Sequence, residues 1–159
     1  MSSVRVIGDD EVADFLRGLN RNIDRVGRSW LRDNAIDGVK SVQKYILNVG
    51  AIDTNELVQG FNYDIDRTSK GLQATIKPSA QADKYAWFVE AGTRPHRAPI
   101  DALQGWADRH GIPVGAVWYK IATEGTDPRW FARDSFNDEI KPNVTRDANR
   151  LLDRLVGGI

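Results

Sequence analysis

Glu90 and His96 are the residues best equipped for chemistry in this sequence. Glu90 stands at the end of the aromatic run Tyr85-Ala86-Trp87-Phe88-Val89, an unusual place for a carboxylate. Apolar surroundings raise a carboxyl pKa and can make such a group a general acid. His96 lies between Arg94 and Arg97 in a proline-bounded loop, so the two would form the centre of a small hydrolase. Against this, no nucleophile or second carboxylate is spaced to work with them. The plainer roles for Glu90 are an ion pair with Arg94 or Arg97, or a contact with a backbone turn. The second histidine, His110, ends a short helical pattern, where the helix dipole favours a cation. Neither histidine belongs to a His-Glu-x-x-His spacing, and there is no Gly-x-Gly-x-x-Gly, Walker or Gly-x-Ser-x-Gly pattern. Gly92-Thr93 is too short to cradle a phosphate. With no cysteine, disulfides and thiolate metal sites are excluded. The expectation is a protein without catalytic residues, metal or cofactor.

A second chemistry is charge. Arg17, Arg21, Arg25, Arg28 and Arg32 recur at helical spacing and form one basic face. Such a row is ordinarily a solvated face, and otherwise meets an acidic partner or nucleic acid. The five tryptophans could stack nucleobases, but they fall at apolar positions suited to core or subunit contacts. Lys+Arg and Asp+Glu are both 22, so the net charge is zero, unlike the basic excess of a free nucleic-acid binder. Zero net charge also removes self-repulsion and permits association. No apolar run approaches the roughly 20 residues of a membrane span. The first residues, Met1-Ser2-Ser3-Val4-Arg5, lack an apolar signal core, so a cytoplasmic origin is expected.

The elements that would position these residues follow from periodicity. At 159 residues, 41% hydrophobic and 28% charged, the chain suits one globular domain over 1–159, with 1–8 as an arm that could form a strand. Asp9 or Asp10 supplies a helix cap. Val12, Phe15, Leu16, Leu19, Ile23, Val26 and Trp30 then form an apolar stripe opposite the arginines. Ala35, Val39, Val42 and Ile46 continue the helical spacing on the arginine side instead. Either the helix breaks near Asp33-Asn34, or one long helix buries opposite sides at its two ends. The second is the expectation here, with Gly27 and Gly38 tolerated at about 1 kcal/mol each.

After a loop from Asn48 to Asn55, Phe61, Tyr63, Ile65 and Leu72, Ala74, Ile76 alternate as a hairpin turning at Thr68-Ser69-Lys70-Gly71. The run from Tyr85 reads as a buried strand, with room for one helical turn at its start, stopped by Gly92-Thr93-Arg94-Pro95. The fold class is therefore α+β: a long N-terminal helix on a small, mainly antiparallel sheet of 3–4 strands, two short inserted helices and a C-terminal helix. The helical insertion spans 97–127, with Pro99 and Pro113 opening its helices and Gly111 and Gly125 closing them. The closing helix carries Phe136, Ile140, Val144, Ala148, Leu151 and Leu155, and Pro142 is expected to kink or restart it.

Tyr85-Ala86 followed by Val89-Glu90-Ala91-Gly92-Thr93 resembles the "YA-x-x-VE-x-GT" signature of the tail-completion family of long-tailed phages, also called head–tail joining, neck or minor tail components. Asp53-Thr54-Asn55-Glu56-Leu57 is similar to the family's "TG-x-L" lead-in to the sheet, with Asn55 in place of glycine. Ala116-Val117-Trp118-Tyr119-Lys120-Ile121 with Glu124-Gly125-Thr126 resembles a segment often inserted after the signature. Pro128-Arg129-Trp130-Phe131-Ala132-Arg133-Asp134-Ser135-Phe136 resembles the "P-x-PF-x-x-x-A" start of the closing helix, with Trp130 where proline is common. The resemblance covers roughly residues 10 to 155.

It implies a structural virion protein, made in the host cytoplasm, that forms a ring of identical subunits, a hexamer or dodecamer, at the head–tail interface. Its partners would be portal or adaptor proteins and the tail-tube or tail-terminator protein. DNA would pass through the channel without sequence-specific binding, and no membrane is involved. Tyr85, Ala86, Val89, Glu90, Gly92 and Thr93 would carry the family structure. Val12, Leu16, Leu19, Ile23, Trp30, Trp130 and Phe131 are the expected subunit interface. The alternative is a small nucleic-acid-binding module using the arginine face.

Overall fold

The computed structural model describes residues 9–51, 53 and 55–156, with side chains between 23 and 153. The expected arm over 1–8 lies outside these residues. The first element is one unbroken helix, α1, Asp9–Asn48. It does not break at Asp33-Asn34, where the Asn34 side chain donates back to the Trp30 carbonyl at 2.9 Å. A short turn of helix, α2 (Glu56–Gln59), leads into an antiparallel hairpin of β1 (Phe61–Thr68) and β2 (Gly71–Pro78), in which Phe61 faces Pro78 and Thr68 faces Gly71. As the alternation predicts, Phe61, Tyr63, Ile65, Leu72, Ala74 and Ile76 are half-buried, and the residues between them are mostly exposed.

The hairpin lies along α1. Arg67 pairs with Asp24, the Leu72 side chain abuts Gly27, and Ile76 packs on Gly38. A Cβ on Gly38 would overlap the Ile76 Cδ1, the movable end of that side chain, so Ile76 would have to shift to admit it. On α1 the buried residues are Ala35, Gly38, Ser41, Val42 and Ile46. At 100° per residue, Ala35 and Ile46 share their side of the helix with the exposed Arg28. The body of the protein covers one side of α1 from Asp24 and Gly27 to Ile46. Ile23, on the earlier apolar stripe, is exposed, and the side chains of that stripe before it lie outside the described ones.

The sheet holds two strands among the described residues, where three to four are expected. The aromatic run is the correction: it belongs to a helix, α3 (Ala80–Ala91). Ser79 caps it, accepting a hydrogen bond from the Ala82 amide at 3.4 Å, and Ala80, Gln81, Ala82 and Lys84 are good helix formers. Ala82, Ala86 and Glu90, four apart, are its buried stripe. The β preference of Tyr, Trp, Phe and Val is overridden because burial selects these small residues and turns Trp87 and Phe88 outward.

Two helices follow, α4 (Ile100–His110) and α5 (Val114–Thr123), each preceded by its proline. Gly111 ends α4 in the left-handed conformation, φ 64°, as its position predicts. The closing segment comprises α6 (Phe131–Ser135), a wide π-type turn over Phe136–Ile140, and α7 (Lys141–Val156). Pro142 has no N–H for the usual bond to a carbonyl four residues back. Just before it, the Lys141 amide reaches the Phe136 carbonyl five residues back.

The core joins Val42 and Ile46 of α1 to Leu57, Ala82, Ala86 and Phe131. Phe61 meets Phe131 edge-to-face, with ring centroids 5.9 Å apart. Alongside, Glu139 accepts from Ser41 and Lys44, and these bonds, Lys44 first, hold its carboxyl below the ordinary range.

Candidate functional site

Glu90 is buried, and its side chain faces α6. Its carboxylate accepts the backbone amides of Ala132 at 2.8 Å and Arg133 at 3.0 Å. Its carbonyl accepts from Trp130 at 3.1 Å. Helix starts leave amides without intrahelical partners, and α3 supplies the missing acceptor for α6. The preceding residue, Trp130, has φ 49°, a left-handed conformation, and its ring stacks beneath the Arg133 guanidinium at 4.3 Å. Of the roles open to Glu90 in the sequence, the contact with a backbone turn is the one formed. His96 lies elsewhere: its Nδ1 is 2.9 Å from the Arg94 carbonyl, and its amide donates to Ile121.

Directly after Glu90, the signature closes a loop. Thr93 and Thr126 exchange backbone hydrogen bonds at 3.0 and 3.1 Å, and their hydroxyls lie 3.1 Å apart. Gly92 and Gly125 flank this bridge with φ of 69° and 81°. A Cβ on Gly92 would strike the Thr126 carbonyl, and one on Gly125 the Thr93 carbonyl. The two glycines therefore allow two chains to approach at the base of the α4–α5 insertion. The sequence carries a signal for this pairing, the repeated Gly-Thr-x-Pro at Gly92–Pro95 and Gly125–Pro128.

The insertion stands off from α3 and leaves a groove of about 1330 Å³. Its lining includes Trp87, Phe88 and Val89 from α3, Leu103 and Trp106 from α4, and Val117 and Ile121 from α5. Gly50 and Ala51, just past the end of α1, close one side. Trp106 stacks on His110 at 4.1 Å between ring centroids. The groove exceeds the roughly 300–1,000 Å³ usual for a small-molecule pocket. Trp87 is 69% exposed and Phe88 55%, so α3 offers a broad aromatic face to solvent.

Arg109 spans the groove to Asp53 with two hydrogen bonds. These bonds, ahead of any other influence, hold the Asp53 carboxyl below its ordinary value of 3.8. Arg94, Lys120 and Arg129 also line the groove, against Glu56 and Asp127. Arg129 donates to the Val49 carbonyl at 3.1 Å, which leaves its charge unneutralised.

The remaining expected site residues scatter. Tyr85 and Val89 are half-buried beside the core and Ala86 is within it. Phe131, expected at a subunit contact, is 1% exposed and belongs to the chain's own core, because α6 presses it between α1 and Phe61. Trp130 is half-buried. Ile23 is 52% exposed, whereas Trp30 is half-buried with its indole N–H lacking a hydrogen-bond partner. Arg25, Arg28 and Arg32 are exposed. The side chains of Val12, Leu16, Leu19, Arg17 and Arg21 lie outside the described ones. Among the described residues no cluster of three potential metal ligands occurs, and no helix is long and apolar enough to cross a membrane. No protein-family model, curated protein or solved structure matches the chain.

Proposed function

We propose that this protein is a structural subunit that assembles with its own copies into a ring at the head–tail interface of a long-tailed phage particle, joining or ending the tail tube around a DNA channel. One observation carries the self-assembling part. An aromatic face led by Trp87 and Phe88 opens onto a groove larger than a small ligand needs, and exposed apolar surface of that kind marks a protein partner. The phage assignment rests on the Tyr85–Thr93 signature and the segments that follow it in order. The exposure of Arg28 and Arg32 supports the alternative, a nucleic-acid-binding module.

Mass measurement of the purified chain, alone and with connector or tail-tube protein, tests the first reading. A ring, or a complex with either partner, is expected; a strict monomer that joins neither overturns it. Retention on DNA that falls steeply with salt, and disappears when Arg21, Arg28 and Arg32 are reversed in charge, would favour the alternative.

A further inference from the structure

The groove between α3 and the insertion has an apolar floor and a rim of mixed charge, with Glu56 and Asp127 beside its cations. Among the described residues, Arg94, Lys120 and Arg129 on that rim have no carboxylate partner. Its matching occupant is an amphipathic helix with carboxylates at one end. This sequence contains one: Asp9-Asp10-Glu11-Val12-Ala13-Asp14-Phe15-Leu16 opens α1. Helical periodicity places Val12, Leu16, Leu19 and Ile23 on one stripe, with acidic residues crowded at the start. At the near end of that stripe Ile23 is half exposed, and the hairpin reverses at Thr68–Gly71, beside the Arg67–Asp24 pair.

The same molecule cannot bring the two together. From Asp9 to Asn48, α1 is one rod about 60 Å long. The groove is lined by Gly50 and Ala51, immediately past the far end of that rod. The acidic first turns therefore sit about 60 Å from their own groove. We infer that the first turns of α1 dock in the α3–insertion groove of a second copy, apolar stripe on Trp87, Phe88 and Trp106, acidic end against Arg94 and Lys120. The contact is head-to-tail: each copy gives its helix to one neighbour and its groove to another. Repetition closes a ring when the rotation allows, and otherwise makes a filament. This deepens the ring proposal and rests on it, since it names the surfaces that meet.

The test uses the full chain and sedimentation mass over a range of concentrations. Trp87→Glu alters an exposed position, so the fold should survive, as far-UV circular dichroism would verify. A triple Asp9→Lys, Asp10→Lys, Glu11→Lys variant alters the other partner. Each is expected to reduce the assembly to monomer, with the concentration for half-assembly raised at least about tenfold, or about 1.4 kcal/mol. Adding Arg94→Glu and Lys120→Glu to the triple variant should restore assembly by exchanging the charges. If the wild-type chain assembles and neither variant changes its mass, the docking is wrong while the ring stands. A wild-type chain that stays monomeric at every concentration removes the docking. Failure of the charge exchange to restore assembly overturns the pairing of these two surfaces. So does a groove that binds oligo(dT), read by quenching of tryptophan fluorescence that Trp87→Glu abolishes, in a chain whose self-association that variant leaves intact.

Discussion

The Glu90 carboxylate accepts a hydrogen bond from the backbone amide of Ala132 at 2.8 Å, across 42 positions of sequence. One helix thus caps another, and the acidic residue of the signature fixes where the closing segment begins. The same carboxylate also holds the Arg133 amide, so removing it leaves two helix-start donors without an acceptor.

Glu90→Ala should therefore destabilise the fold by about 1–2 kcal/mol, the usual effect of losing a helix cap. For a chain of this size that is a fall of about 2–8 °C in Tm. Thermal unfolding followed by circular dichroism measures it. An unchanged Tm would mean that the cap contributes nothing.

Gly92→Ala and Gly125→Ala should each open the Thr93–Thr126 bridge. Both glycines have positive φ, and both would direct a Cβ at the opposite carbonyl. Strain of this kind amounts to about 1–3 kcal/mol. The insertion, released at its base, should be cut by protease between residues 97 and 124 well before the wild type. Equal cleavage rates would show that the bridge does not hold it.

Gly38→Ala sets two effects against each other. Alanine improves helix propensity by about 1 kcal/mol, but its methyl overlaps the Ile76 Cδ1, and overpacking a core costs about 1–3 kcal/mol. The single variant is expected to lose stability in urea. Ile76→Val deletes the clashing carbon, so the double variant should be more stable than the sum of the two single changes. Additive effects would place the strain elsewhere.

Acid should loosen the insertion first at Asp53. Its carboxyl titrates below the ordinary value because Arg109 binds the charged form. The stabilisation is therefore fully present above 3.8, the unfolded value, and is lost as pH falls through the lowered folded value. Asp53→Asn removes that pH dependence. Amide exchange in α4, measured at neutral pH and near pH 3, checks it: the wild type should lose protection on acidification, and the variant should show low protection at both.

The local elements of this protein were legible in the residue order. The hairpin follows from alternation between Phe61 and Ile76, and the ends of α4 and α5 from their prolines and glycines. The length of α1 follows from helical spacing that resumes after Asp33-Asn34, although on another side of the helix. Each of these signals acts within a few residues along the chain. What residue order could not decide was burial. Tyr85 to Val89 has strand-forming side chains, yet only contact with α1 and Phe131 makes the small faces of Ala82 and Ala86 the ones to hide. Glu90 had several available partners, and the backbone amides of α6 became its own only when two distant segments met. Gly38 looked like a cost until Ile76 was laid against it. Local preferences amount to about 1 kcal/mol or less per residue, and packing outweighs them wherever segments far apart in sequence share a core.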